Sequence, residues 1–114
     1  MMALLICLVS CNSNENNDCS SDNPTEDIPW LKEIKQDLLM SEKYNGFQII
    51  RYKYKGEFVF YINGCYNCID DIKSVYNCDG NIICEFGGYA GLNTCPDFDA
   101  EATDSTMLFN YVQP

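Results

Sequence analysis

The chain opens on an uninterrupted apolar run, passes through a polar stretch, and then alternates between two hydrophobic periods. Met1 to Val9 reads MMALLICLV and carries no charge. Asn12 to Glu26 reads NSNENNDCSSDNPTE, with almost nothing apolar besides Cys19. Such a stretch buries too little surface to offset its ordering entropy, so it is expected to be a flexible tether. From Asp27 the pattern changes. Trp30, Leu31, Ile34, Leu38 and Leu39 recur at helical spacing, while Lys32, Glu33, Lys35, Gln36 and Asp37 fall mainly elsewhere. That spacing predicts an amphipathic helix over Asp27–Glu42. Asp27 is placed to cap it, Pro29 suits its first turn, and Tyr44-Asn45-Gly46 ends it.

Beyond the helix the period becomes two. Phe47 to Tyr54 sets Ile50, Tyr52 and Tyr54 against Arg51, Lys53 and Lys55, as in a strand half-buried on one face. Lys55-Gly56 is a tight turn into Phe58–Ile62 (FVFYI), apolar enough to be a central strand, and Asn63-Gly64 closes it. Lys73–Asn77 and Asn81–Phe86 flank Asp79-Gly80, a strong hairpin signal. Gly87-Gly88 and Gly91 mark a loop, and Thr106–Val112 (TMLFNYV) reads as a last strand. One helix followed by a run of strands predicts an α+β fold: an N-terminal amphipathic helix packed on a small antiparallel sheet. Residues 27–114 suffice for a single small globular domain, one whose hydrophobic core is marginal without covalent staples.

The apolar run is too short to span a bilayer, which takes about 20 residues, but it suits the core of a secretory signal. It ends in Leu8-Val9-Ser10-Cys11, which resembles the lipobox of bacterial lipoproteins. The resemblance implies a signal peptide over residues 1–10, cleavage after Ser10, and acyl chains of the palmitate kind on a diacylglycerol at Cys11. Residues 11–26 then form the lipidated cysteine and tether. No Lys or Arg precedes the apolar run, which a start codon further upstream would supply.

Charge narrows the partners. The formal net charge is −10, with no histidine. Nucleic acid demands a basic footprint and is excluded as a partner. Arg51, Lys53 and Lys55 stand apart as three cations on one strand face. They offer a seat for an acidic ligand, although pairing with local carboxylates or guarding the sheet against aggregation accounts for them better.

Of the eight cysteines, Cys7 leaves with the signal and Cys11 is the lipid site. Cys19, Cys65, Cys68, Cys78, Cys84 and Cys95 remain, an even set that reads as a disulfide framework in an exported domain. Two rivals compete for these thiols. Zinc would use Cys65, Cys68, Cys78 and Cys84, but structural sites usually pair two CxxC knuckles and only one is present. Redox chemistry would use Cys65-Tyr66-Asn67-Cys68 after a strand and before a helix start, the layout of a thioredoxin site. Asp70 and Asp71 beside it oppose the thiolate such a site needs. Without histidine, Ser-His-Asp and Cys-His devices and histidine metal sites are absent, and no phosphate-binding or dinucleotide fingerprint appears. No cofactor is called for. Asp97, Asp99, Glu101 and Asp104 form an acidic run that lacks the glycine and final glutamate of a calcium loop and reads better as solvated. Tyr89, in the Gly-rich loop, is a candidate exposed contact, whereas most other tyrosines sit where strands pack.

From Ile28 onward the chain resembles a family of short, uncharacterised lipoproteins of Bacteroidetes-type bacteria. The carrying residues are Pro29-Trp30-Leu31, Tyr52-Lys53-Tyr54-Lys55-Gly56, the stretch near Cys65 and Cys68, Asp79-Gly80-Asn81-Ile82-Ile83-Cys84, Gly87-Gly88 and Cys95-Pro96-Asp97-Phe98. The resemblance implies a lipid-anchored, disulfide-bonded small domain and no assigned activity. Cys65, Cys68, Cys84 and Cys95 match the family, which tends to have adjacent cysteines where this chain has Cys65-x2-Cys68. Cys19 and Cys78 are additional and are expected to pair with each other. The resulting expectation is a non-catalytic binding or accessory protein of the bacterial cell envelope, held at the outer membrane through Cys11, with a protein or glycan ligand. The alternatives from other classes are a thiol-disulfide oxidoreductase using Cys65 and Cys68, and a small secreted inhibitor of a protease or lysozyme.

Overall fold

A computed structural model describes residues 18–41, 46–65, 71–88 and 90–112. The proposed signal, Cys11, the first part of the tether, Cys68 and Tyr89 lie outside the described residues.

The chain enters as a short helical turn, α1 (Pro24–Asp27), followed after Ile28 by α2 (Pro29–Met40). The strands are β1 (Gly46–Tyr54), β2 (Glu57–Asn63), β3 (Ile72–Tyr76), β4 (Ile82–Gly87) and the two-residue β5 (Leu92–Asn93). A helical turn α3 (Phe98–Glu101) leads into the long β6 (Thr103–Val112). All pairings are antiparallel, and the six strands form one sheet in the order β5-β4-β3-β2-β1-β6. The fold is thus mostly sheet, with a few short helices and two disulfides between described cysteines.

Local chemistry explains the first hairpin. Lys55 and Gly56 both have positive φ (52° and 83°), the two-residue turn whose twist matches that of the flanking strands. The second hairpin is wider than Asp79-Gly80 suggests. The Asn77 side chain accepts the backbone N–H groups of Asp79 and Asn81, each at 3.0 Å, so a five-residue loop is closed by one amide.

Both sheet faces are covered. On one, Trp30, Leu31, Ile34 and Leu38 of α2 pack with Phe47, Ile49, Phe60 and Ile62. On the other, Tyr54, Val59, Val75 and Cys84 lie beneath Phe98. Phe98 is there because β6 joins β1, not β5, so the chain after β5 must cross from one sheet edge to the other.

Four expectations are corrected. The helix neither begins at Asp27 nor comes first. Asp27 ends α1, where Ser21 Oγ donates to its carboxylate, and Ile28 occupies the cap of α2 without a side-chain cap bond. Its sidedness is also weaker than the spacing suggests, since Leu31 alone is fully buried while Leu39 and Met40 are exposed. The polar stretch is no tether as far as Glu26. From Asp18 it is folded onto the sheet: Cys19, Pro24 and Thr25 are buried, and Glu26 receives an ion pair from Lys35 of α2. A disulfide and a set of backbone acceptors hold it there, which composition could not disclose. Finally, Arg51 and Lys53 do not face solvent. They lie on the face that carries α2, with their cationic groups 4.7 and 4.5 Å from the centre of the Phe58 ring. The Arg51 guanidinium donates to the backbone oxygens of Cys19 and Ser21, at 2.9 and 2.8 Å.

A candidate binding cleft

The cysteines are the first sequence-marked residues to place. Cys19 is bonded to Cys78 across 59 residues, the pairing expected for the two additional cysteines. Beside it the Trp30 indole donates to the Cys78 carbonyl at 3.0 Å and packs on Phe60 and Tyr76. Cys84 is bonded to Cys95, joining β4 to the crossover. Cys65 is buried and also disulfide-bonded, its partner lying outside the described residues. The described chain after it resumes at Asp71 and enters β3, antiparallel to β2. A thioredoxin-type site instead requires a helix running on from the cysteine pair. Among the described residues no group of acidic or cysteine side chains is arranged to hold a metal.

The three cations do not form one patch. Lys55, in the turn, reaches over the edge of the sheet to Asp97, with 3.1 Å between Nζ and Oδ2. Tyr54 donates its hydroxyl to the other carboxylate oxygen of Asp97 at 2.7 Å. These contacts hold the Asp97 carboxyl below its ordinary range, the tyrosine bond contributing most and the lysine next. Tyr54 is raised in turn by that hydrogen bond, and Lys55 likewise. The acidic run is therefore dispersed. Asp97 is pinned to the sheet, whereas Asp99, Glu101 and Asp104 are exposed, Asp99 at the lining of a cleft.

That cleft lies between the crossover and the β1–β2 part of the sheet, and its volume is about 430 Å³. Alternation along β1 puts Gln48, Ile50 and Tyr52 on its floor, and the register Ile50↔Tyr61 places Tyr61 of β2 beside them. Phe86 of β4, Asn93 of β5 and the segment Cys95 to Asp99 form the wall. The wall is fastened at both ends, by Cys84–Cys95 and by the Tyr54–Asp97–Lys55 group. Inside it, hydrogen bonds from the N–H of Phe98 to Cys95 O and of Glu101 to Asp97 O fix α3. Phe98, 5% exposed, anchors the wall in a ring cluster with Tyr52, Tyr54, Tyr61 and Phe86, at centroid distances of 5.0 to 6.5 Å.

The polar groups of this cleft are only partly committed. Gln48 donates to Asn110 at 3.4 Å, and Asn93 accepts the Cys95 N–H. The hydroxyls of Tyr52 and Tyr61 have no hydrogen-bond partner among the described residues. Tyr61 is half-buried, and its pKa is raised first by that burial and then by the neighbouring Tyr52 and Asp99. Neither hydroxyl is sealed from solvent, so both are accessible polar handles at the cleft.

A second, smaller cavity of about 180 Å³ lies between α2 and β3, lined by Ile34, Leu38, Ile62, Asp71 and Tyr76 among others. It falls below the usual size range of ligand sites. The larger cleft falls in the size range of ligand sites, roughly 300–1,000 Å³.

None of its central residues stands out as a site in the sequence. Tyr52 and Tyr61 look like ordinary strand aromatics, and Asp99 is one member of an acidic run. The available signal was tyrosine rather than phenylalanine at neighbouring positions of one sheet face, where a polar handle is otherwise unneeded.

A family model described as a domain of unknown function, DUF6970, covers residues 35–111 of the chain. No curated protein and no solved structure matches it.

Proposed function

The chain belongs to the DUF6970 family, and we propose that it is a lipid-anchored, non-catalytic binding protein of the bacterial cell envelope. The cleft under the crossover carries the binding part of this reading: it is preformed, walled by covalent and ionic fastenings, and lined by tyrosines whose hydroxyls have no partner among the described residues. The anchoring part rests on the apolar run ending in Leu8-Val9-Ser10-Cys11. Disulfides support an oxidising compartment outside the cytosol.

Anchor and domain are close neighbours on this reading. Cys19, the first buried residue among those described, lies eight positions after Cys11. Fully extended that stretch reaches at most about 28 Å, so the domain would stay within roughly its own width of the lipid surface. Acyl chains hold by burying methylenes, and several chains anchor stably where one does not.

Mass spectrometry of the membrane fraction tests the anchor. The expected mature protein begins at an acylated Cys11, and Cys11→Ser releases the chain or leaves the precursor uncut. A Cys11→Ser protein that still fractionates with membranes and keeps Met1 would refute the lipoprotein reading.

A further inference from the structure

We propose that the cleft between the crossover and strands β1 and β2 binds a small organic cation, an alkylammonium head group, held by the Tyr52 and Tyr61 rings and the Asp99 carboxylate. The inference rests on the binding-protein reading and adds to it a ligand class.

Three observations carry it. First, the rings are arranged as a corner. Tyr52 stands at 83° to Tyr61 and at 81° to Phe98, with centroids 6.2 and 5.3 Å apart. Phe98 is buried behind the two tyrosines, so the ring surface available to a cation is that of the partly exposed Tyr52 and Tyr61, whose negative faces attract positive charge. Second, the charge of the lining has one sign. Asp99 lines the cleft, and no lysine or arginine does so among the described residues. Lys55 is occupied by Asp97, Arg51 and Lys53 lie on the opposite sheet face over Phe58, and Lys73, on the cleft face beside Phe86, is not part of the lining. The surrounding chain, at −10, adds to the negative field rather than opposing it. Third, the negative field at the site is felt by Tyr61, a lining residue whose ionisation is suppressed first by burial and then by the neighbouring Tyr52 and Asp99. An anionic ligand would meet a carboxylate with no cation to receive it.

The size is also appropriate. A volume of about 430 Å³ accommodates a trimethylammonium group with a short alkyl or hydroxyalkyl arm, and leaves no room for a folded partner. Recognition of such heads by aromatic corners works through desolvated cation–π contacts and one nearby anion, so a millimolar affinity is the natural scale for a single head group.

The test uses the full chain with its disulfides oxidised and three probes: choline, its uncharged carbon isostere 3,3-dimethyl-1-butanol, and methyl glucoside. Binding is followed by NMR chemical-shift changes. Choline is expected to perturb Tyr52, Tyr61 and Phe86 selectively, with the isostere binding at least about tenfold more weakly. Asp99→Asn should weaken choline about five- to tenfold. Asp104→Asn, the same charge change outside the cleft, should leave choline binding unchanged. Tyr61→Phe should keep most of the affinity because it keeps the ring, whereas Tyr61→Leu should lose it. Equal binding of choline and its isostere, or equal effects of the two aspartate variants, would overturn the cation assignment. Binding of methyl glucoside alone would overturn it too, while leaving the binding-protein reading standing. Silence of the cleft toward all three probes would overturn the cation assignment as well.

Discussion

Removing the Cys19–Cys78 bond should cost more than removing Cys84–Cys95, by a margin set by loop length. The first closes a loop of 59 residues and the second a loop of 11. In the chain-entropy relation those loops correspond to about 4 and about 3 kcal/mol of denatured-state restriction. The native-state cost of deletion is similar at the two sites, because each bond has one deeply buried partner: Cys19 is 7% exposed and Cys84 1%. A domain of this size has a total stability of roughly 5–14 kcal/mol, so losing the longer clasp removes more than about a quarter of it. At about 4–8 °C per kcal/mol, Cys19→Ala with Cys78→Ala should lower Tm by about 15–30 °C. The protein has a single tryptophan, and it reports directly on the site, since Trp30 Nε1 donates to Cys78 O. Urea unfolding followed by Trp30 fluorescence therefore measures both double variants on one signal, with the m-values showing whether each remains two-state. If the Cys84→Ala, Cys95→Ala protein proves as unstable as the Cys19→Ala, Cys78→Ala protein, or more so, loop entropy is not what governs this framework and the reasoning fails.

Other expectations follow from the same structure. Gly46 has φ of 145°, and a Cβ there would lie 2.2 Å from the Tyr111 carbonyl oxygen and 2.8 Å from Val112 Cα; Gly46→Ala should cost about 2–4 kcal/mol and free the end of β6, seen as faster amide exchange at Tyr111 and Val112. Asp97 is held below the ordinary carboxylate value of 3.8 by Tyr54 and Lys55. Its contribution is therefore present above pH 3.8 and is lost as pH falls through the lowered value; Asp97→Asn should flatten that acid limb in a plot of Tm against pH, and an unchanged limb would assign it to other carboxylates. Tyr54 is raised above 10.0 mainly by its bond to Asp97, so its share persists below that pH and disappears as pH rises through the raised value; in Asp97→Asn the absorbance titration of Tyr54 should move back toward 10.0.

Much of the local structure can be read from the chain itself. Alternation from Phe47 to Tyr54, with Lys55-Gly56 after it, identifies the first hairpin, and β1 and β2 depart from the expected limits by a single residue at any end. Asp79-Gly80 locates the second hairpin, and the spacing of Trp30, Leu31, Ile34 and Leu38 identifies the residues by which α2 meets the sheet. These features are local: turn chemistry and side-chain period act between residues a few positions apart. The same kind of information is silent about what covers a face. Arg51 and Lys53 alternate as solvent-facing residues would, yet α2 and the segment from Cys19 to Ser21 lie on their side of the sheet. The short β5 and α3 went unread because the segment Gly91–Glu101 is punctuated by glycine, proline and acidic residues and has no period.

Most consequential is the position of β6. Its composition marks it as a strand, but nothing in Thr103–Val112 says whether it pairs with β5, its neighbour along the chain, or with β1. Pairing with β1 draws the preceding residues across the sheet, seats Phe98 among Tyr52, Tyr54, Tyr61 and Phe86, and so creates the cleft. That choice depends on burial summed over residues distant in sequence and on which cysteines meet. The sequence by itself therefore determined the hairpins, the helix contacts and the disulfide chemistry, whereas the cleft and its charge exist only once the crossover is in place.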